Sequence, residues 1–184
     1  MARTPTTQIP LGFKAPGFDL LNVVTNKKTN LNELTKKNGL VVMFICNHCP
    51  FVVYVIDEII NIANDYNQKD VAFVAISSND VENYPDDSPE NMKKLAIIKK
   101  FPFPYLYDKT QSVALAYDAA CTPDFSVFDK NLLCIYRGQM DGSRPENDII
   151  NDGKDLRKVI DYILEDKIID FKQLPSIGCN IKWK

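Results

Sequence analysis

The sequence predicts an α/β fold, a central mixed β-sheet flanked by helices, on three observations. Two continuous apolar, β-branched runs at residues 39–46 and 70–77 have strand length and the composition of strands buried on both faces. Between them Val52, Val55, Ile56, Ile59, Ala63 and Tyr66 recur at helical spacing, which makes a strand–helix–strand unit. Later, residues 125–128 and 132–137 flank the turn Asp129-Lys130-Asn131 and read as an antiparallel hairpin.

The elements follow in order. Residues 1–16, 78–90 and 138–153 are polar and proline-bearing and read as loops; the acidic part of the second, Tyr84 to Ser88, reads as a solvated one or, because it follows a central strand, as one that borders the site and influences which partner docks. The first crossover helix spans 49–67. Ser88 is an N-cap with Pro89 at the first helical position, and Met92, Leu95, Ala96 and Lys99 carry a second helix until Phe101-Pro102 stops it. A short strand at 105–108 and a short helix at 111–117 precede the hairpin. Leu156, Val159, Ile160, Ile163 and Leu164 form the stripe of a last helix, and a tail runs over 166–184, where burial of the lone Trp183 would dock it. No repeat, linker or low-complexity stretch divides the chain, so 1–184 reads as one domain.

Composition excludes several function classes. Twenty-two Lys and Arg against 24 Asp and Glu leave a net charge of -2 with the signs interspersed, which is not the field of a nucleic-acid or membrane-surface binder. The longest apolar runs fall far short of the roughly 18 residues that a membrane span takes. The first ten residues, polar and broken by two prolines, offer no hydrophobic region of a secretory signal, so the expected location is the cytoplasm. Five cysteines are too few for a disulfide scaffold, but two form Cys46-Asn47-His48-Cys49.

That pair ends a buried strand and opens a helix, at the carboxyl edge of the sheet where open α/β folds react. The unpaired N–H groups of a helix N-terminus favour a thiolate at Cys46, which is the nucleophile of disulfide exchange. Cys49, deeper in the helix, would resolve the mixed disulfide, and Pro50 suits the first helical turn. The alternative use of Cys46, Cys49 and His48 is as soft metal ligands, although a single histidine limits a four-coordinate site.

Three landmarks in order resemble the thioredoxin-like superfamily, and more closely its AhpC/TSA redoxin branch, over nearly the whole chain. Ala15-Pro16-Gly17-Phe18-Asp19-Leu20 resembles the redoxin opening; Cys46-Asn47-His48-Cys49-Pro50 sits at the redox motif; and Cys121-Thr122-Pro123-Asp124-Phe125 resembles the loop whose proline is cis in these folds. Residues 136–141 then fall where redoxins carry a hairpin motif. The resemblance implies a thioredoxin fold with a redoxin-type amino-terminal extension, in which Thr122 and Pro123 pack across the cysteines and present backbone groups to a partner. It also implies that Asn47 and His48 tune the couple. There are departures: Leu40 stands where thioredoxins bury an aspartate, and Gly39 and Met43 stand where peroxiredoxins have proline and threonine before the peroxidatic cysteine.

The expected function is therefore a thiol-disulfide oxidoreductase exchanging disulfides through Cys46 and Cys49. A thiol peroxidase using Cys46 and a metal-binding or copper-chaperone-like module are the alternatives. The expected partners are a protein or small-molecule disulfide and a thiol electron donor; the expected cofactor is none, since the Cys46–Cys49 disulfide is itself the redox group. Cys121 and Cys179 are each either packing residues or auxiliary thiols, and Cys134 is core. Arg137 either places a positive charge near a thiolate or is a solvated or ion-paired strand end.

Overall fold

The computed structural model describes residues 3–36 and 38–184. Met1 and Ala2, part of the first expected loop, lie outside them. Strand β1 (Arg3–Pro5) precedes a hairpin of β2 (Asp19–Asn22) and β3 (Lys27–Asn30). Then come β4 (Gly39–Phe44), α1 (Pro50–Asn67) and β5 (Val71–Ser77). A 3-10 turn at Pro85–Asp87 leads into α2 (Pro89–Ile98), β6 (Tyr105–Tyr107) and α3 (Ser112–Ala116). The chain closes with β7 (Cys121–Thr122), β8 (Asp124–Phe128), β9 (Cys134–Gly138), α4 (Lys154–Leu164) and β10 (Ile177–Asn180).

Among the described residues the main sheet has seven strands in the order β3-β2-β6-β5-β4-β8-β9, and a three-stranded sheet has the order β1-β10-β7. The main sheet is mixed: β4 runs parallel to β5 and antiparallel to β8. Every residue of β4 and of β5 is buried, because helices or loops cover both faces. The pleat sorts the apolar run into two cores. Val41, Met43 and Ile45 pack with Val52, Ile56 and Ile59 of α1 and with Val159 and Ile160 of α4. Leu40, Val42 and Phe44 meet Val113 and Ala114 of α3 and Phe128 on the opposite face. No described helix is long and apolar enough to cross a membrane.

Three expectations are corrected. The hairpin turn is longer than its sequence reads, because the Asp129 carboxyl accepts from the N–H groups of Asn131 and Leu133 and draws 129–133 out of the ladder. The first loop is not wholly irregular, since β1 pairs antiparallel with β10. Nor is the tail docked by its tryptophan: Trp183 is 42% exposed, while Ile181, at 1%, is buried. Backbone bonds hold the tail instead. Cys179 and Asn180 pair with Thr122 and Cys121, the Asp80 N–H donates to the Lys182 carbonyl at 2.8 Å, and the Lys182 N–H donates to Asn79 Oδ1 at 2.8 Å.

The tightest point of this docking is Gly178, where a Cβ would overlap the Thr122 carbonyl. Gly178→Ala is expected to lower stability by about 3 kcal/mol, the upper range for overpacking, and to speed amide exchange in β10 and β7. Urea denaturation with hydrogen exchange checks this; an unchanged midpoint would show that β10 does not press on β7.

Candidate active site

Three segments converge beyond the carboxyl ends of β4 and β5. The first is the turn from β4 to α1. Ile45 still pairs with the sheet through its N–H to the Ile76 carbonyl at 3.0 Å, so Cys46 is the first residue beyond it. Cys49 is the N-cap residue of α1, Pro50 takes the first helical position, and the first helical bond runs from the Val53 N–H to the Cys49 carbonyl at 2.9 Å. The second segment is the loop after β5. The third is the Thr122-Pro123 segment between β7 and β8, joined by a cis peptide bond.

Thr122 touches both cysteines. Its Oγ1 lies 3.4 Å from Cys46 Sγ, and its carbonyl accepts from Cys49 Sγ at 3.1 Å. Ser176 Oγ donates to the Pro123 carbonyl at 2.7 Å, so the docked tail fixes this segment from behind.

The loop after β5 is the main surprise. The acidic stretch expected to be solvated contains Asp87, which is fully buried. Its Oδ1 accepts from the Asn47 N–H at 2.7 Å and the His48 N–H at 3.3 Å; its Oδ2 accepts from His48 Nδ1 at 2.6 Å and Asn79 Nδ2 at 2.7 Å. A carboxylate stays buried only when donors of this kind surround it, and all but the one from Asn79 come from about forty residues upstream. The His48 ring also stacks on Tyr84, with centroids 5.6 Å apart and planes 10° from parallel. Asn47 is used internally: its Nδ2 donates to the Asp86 carbonyl at 2.8 Å and its Oδ1 accepts from Tyr105 at 3.1 Å. Sequence reading missed Asp87, Asn79 and Tyr105. The available signal was position alone, a proline-stiffened loop leaving a central strand at its carboxyl end.

Charge at the pair is distributed differently from the expectation. Cys46 is raised well above an ordinary thiol, first because its S–H donates to Cys49, then by burial and by the Asp87 carboxylate. Cys49 is lowered to about 5, chiefly by that same hydrogen bond, with the Cys179 thiol and the N–H groups of Val52 and Cys179 adding to it against burial. The N–H groups nearest Cys46, those of Asn47 and His48 in the turn before the helix, go to Asp87, and the helix-start N–H of Val52 serves Cys49 instead. When Cys49 is protonated, the Thr122 carbonyl receives its hydrogen. Both sulfurs are buried, and His48 is the partly exposed group beside Cys46.

The remaining candidates separate. Cys179, buried on β10, is the third thiol at the pair, hydrogen-bonded to Cys49 and pushed up to about 12 by burial. Cys121 is buried on β7 with Sγ 3.7 Å from the Pro123 carbonyl, and burial raises it strongly. Cys134 is core, as expected. Arg137 is no solvated strand end. It is buried and donates to the carbonyls of Tyr117, Asp118 and Thr7 at 2.5, 2.6 and 3.1 Å, with Asp124 at 3.6 Å. These bonds tie β9 to the end of α3 and to the amino-terminal segment, and none of them reaches Cys46 or Cys49.

Comparison with known proteins agrees with this architecture. The model of the AhpC/TSA family matches residues 11–151. No curated protein matches the chain. An uncharacterized conserved protein from Geobacillus kaustophilus is 54% identical, with TM-score 0.98, over 100% of this chain and 97% of that one. A hypothetical protein from Sinorhizobium meliloti 1021 is 41% identical, with TM-score 0.96, over 98% of each chain. The thioredoxin domain of a thiol-disulfide oxidoreductase from Bacteroides vulgatus is 15% identical, with TM-score 0.63, over 83% of this chain and 99% of that one, which shows the thioredoxin-like fold.

If the Asp87 charge holds Cys46 protonated, removing it makes the thiolate easier to form. Asp87→Asn removes one of the groups that raise Cys46, after the Cys49 thiol and burial, and is expected to move the pH midpoint of Cys46 alkylation down. Peptide mass spectrometry of protein alkylated across a pH series measures it. An unmoved or higher midpoint would remove Asp87 from the electrostatics of the pair.

Proposed function

The chain belongs to the AhpC/TSA family of thiol-based redox proteins, and on that premise we propose that it is a thiol-disulfide oxidoreductase working through Cys46 and Cys49. One observation carries the reading: the two buried sulfurs rest against one residue, Thr122, whose Oγ1 lies 3.4 Å from Cys46 Sγ and whose carbonyl accepts from Cys49 Sγ at 3.1 Å. Two thiols held against one residue, three positions apart on one turn, can close on each other, which is what exchange requires. The substrate is a protein or small-molecule disulfide, and a thiol donor restores the reduced pair. The reading calls for no organic cofactor.

The steps balance as follows. Cys46 passes its proton to the Cys49 sulfur as it attacks one sulfur of the substrate disulfide. A Cys46–substrate disulfide forms, and the first substrate thiolate leaves, taking the proton from Cys49. Cys49, again a thiolate, attacks Cys46 Sγ; the Cys46–Cys49 bond forms and the second substrate thiolate departs, to be protonated by water. The pair is oxidised by two electrons and the substrate is reduced to two thiols. Thr122 lies against both sulfurs, Thr122 and Pro123 would offer their backbone to an extended partner docking there, and His48, partly exposed, borders the entry. Because both sulfurs are buried, a partner must first displace the groups that cover them.

Cys49→Ser is expected to accumulate a stable mixed disulfide at Cys46 with oxidised glutathione, while Cys46→Ser forms at most traces. Intact-mass and peptide analysis of the quenched protein reads the adducts. A Cys49→Ser variant that forms no adduct, or forms it elsewhere, would overturn the mechanism.

A further inference from the structure

We propose that Cys46, His48 and Asp87 form a binding site for one divalent cation of the zinc class, and that its occupancy and the Cys46–Cys49 disulfide exclude one another. A sulfur, a ring nitrogen and a carboxylate oxygen from these residues lie within 4.8 Å of one another. Zinc takes this donor set, with bonds of about 2.3 Å to sulfur and about 2.0 to 2.2 Å to nitrogen and oxygen. Donors around a tetrahedral ion with such bonds stand about 3.4 Å apart, so closing onto the ion takes side-chain shifts on the order of 1 Å. Three protein ligands leave the fourth position to water.

The surroundings are those of ligands already held in place. Asp87 is oriented by the N–H groups of Asn47 and His48 and by Asn79 Nδ2, which are outer-shell donors of the kind that fix a coordinating carboxylate. The His48 ring is held by its stack on Tyr84. Cys46 and His48 sit two residues apart on one rigid turn, so only the Asp87 contact is long-range. The ion would replace the proton that His48 Nδ1 donates to Asp87. It would also reverse the local field, since a divalent charge favours the Cys46 thiolate that Asp87 alone opposes. His48, with 22% of its side chain exposed, gives the route from solvent.

This ligand set differs from the Cys46-Cys49-His48 set that spacing alone brings to mind. Cys49 turns away toward the Thr122 carbonyl and the tail, and a carboxylate from the loop after β5 stands in its place. A Cys46 sulfur bonded to Cys49 has no thiolate to offer, so oxidation and metal binding compete for one atom. The inference needs the reduced thiol only and does not depend on which disulfide the pair reduces.

The test titrates the reduced full-length protein with Co²⁺ without oxygen, following thiolate-to-cobalt charge-transfer absorption, and then displaces Co²⁺ with Zn²⁺. The expected result is one ion per chain. Cys46→Ser loses the band, His48→Gln and Asp87→Asn each bind at least tenfold more weakly, and Cys49→Ser keeps the band. Zn²⁺ should also protect Cys46 from alkylation. Absence of a band in the wild type, a band lost in Cys49→Ser but kept in Cys46→Ser, or unchanged affinity in His48→Gln would overturn the proposal. Should Asp87→Asn fail to fold by circular dichroism, the partly exposed His48→Gln decides alone. Disulfide formation is scored separately by alkylation of metal-free protein, so failure of the exchange mechanism and failure of this site give different results.

Discussion

The site depends on one buried carboxylate. Asp87 satisfies the backbone of the turn that presents the cysteines, holds the His48 ring, and through Asn79 meets the segment that carries the docked tail. A fully buried carboxylate with fewer donors would be costly, and a turn with unpaired N–H groups would be loose. Each half satisfies the other. The electrostatic consequence is that donors which usually favour an exposed thiolate are occupied, and the negative charge of the reduced pair sits on the inner sulfur. Cys46 is the protonated partner, and Cys49 is the base beside it.

The sheet makes this convergence inevitable once its order is set. β4 lies between β5 and β8, so the turn after β4, the loop after β5 and the segment before β8 must meet at one edge. The turn brings the thiols, the loop brings Asp87, and the segment brings Thr122 to both sulfurs. The tail adds a fourth layer, in which β10 pairs with β7 and places Cys179 against Cys49. Fold and site are therefore coupled at the carboxyl terminus, where Gly178 permits the close approach.

Much of this was legible in the chain because it rests on local signals. The buried runs that became β4 and β5, the stripe of α1, Ser88-Pro89 at the start of α2 and the Cys46–Cys49 turn are written in consecutive residues. The Thr122-Pro123 segment was recognised by resemblance, and its peptide bond is cis as that implied. What could not be read depends on distant partners. Asp87 lies in a proline-rich acidic stretch that is solvated unless donors arrive from the turn at 47 and 48. Arg137 looked like a strand-end charge because its acceptors, the carbonyls at 7, 117 and 118, belong to the backbone and leave no mark in side-chain pattern. The tail is held by backbone ladders rather than by its conspicuous tryptophan, and strand pairing between remote segments has no local signature. The charge on the cysteines followed from the same gap: without Asp87 in view, the helix start alone pointed to Cys46.

The most direct test of the account is to equilibrate the wild-type protein in glutathione redox buffers and map every cysteine by alkylation and mass spectrometry. The account predicts one reversible two-electron couple confined to Cys46 and Cys49, with Cys121, Cys134 and Cys179 reduced throughout. If Cys46 and Cys49 never form a disulfide between them, or the oxidised form joins Cys49 to Cys179 instead, the pair is not the redox centre described.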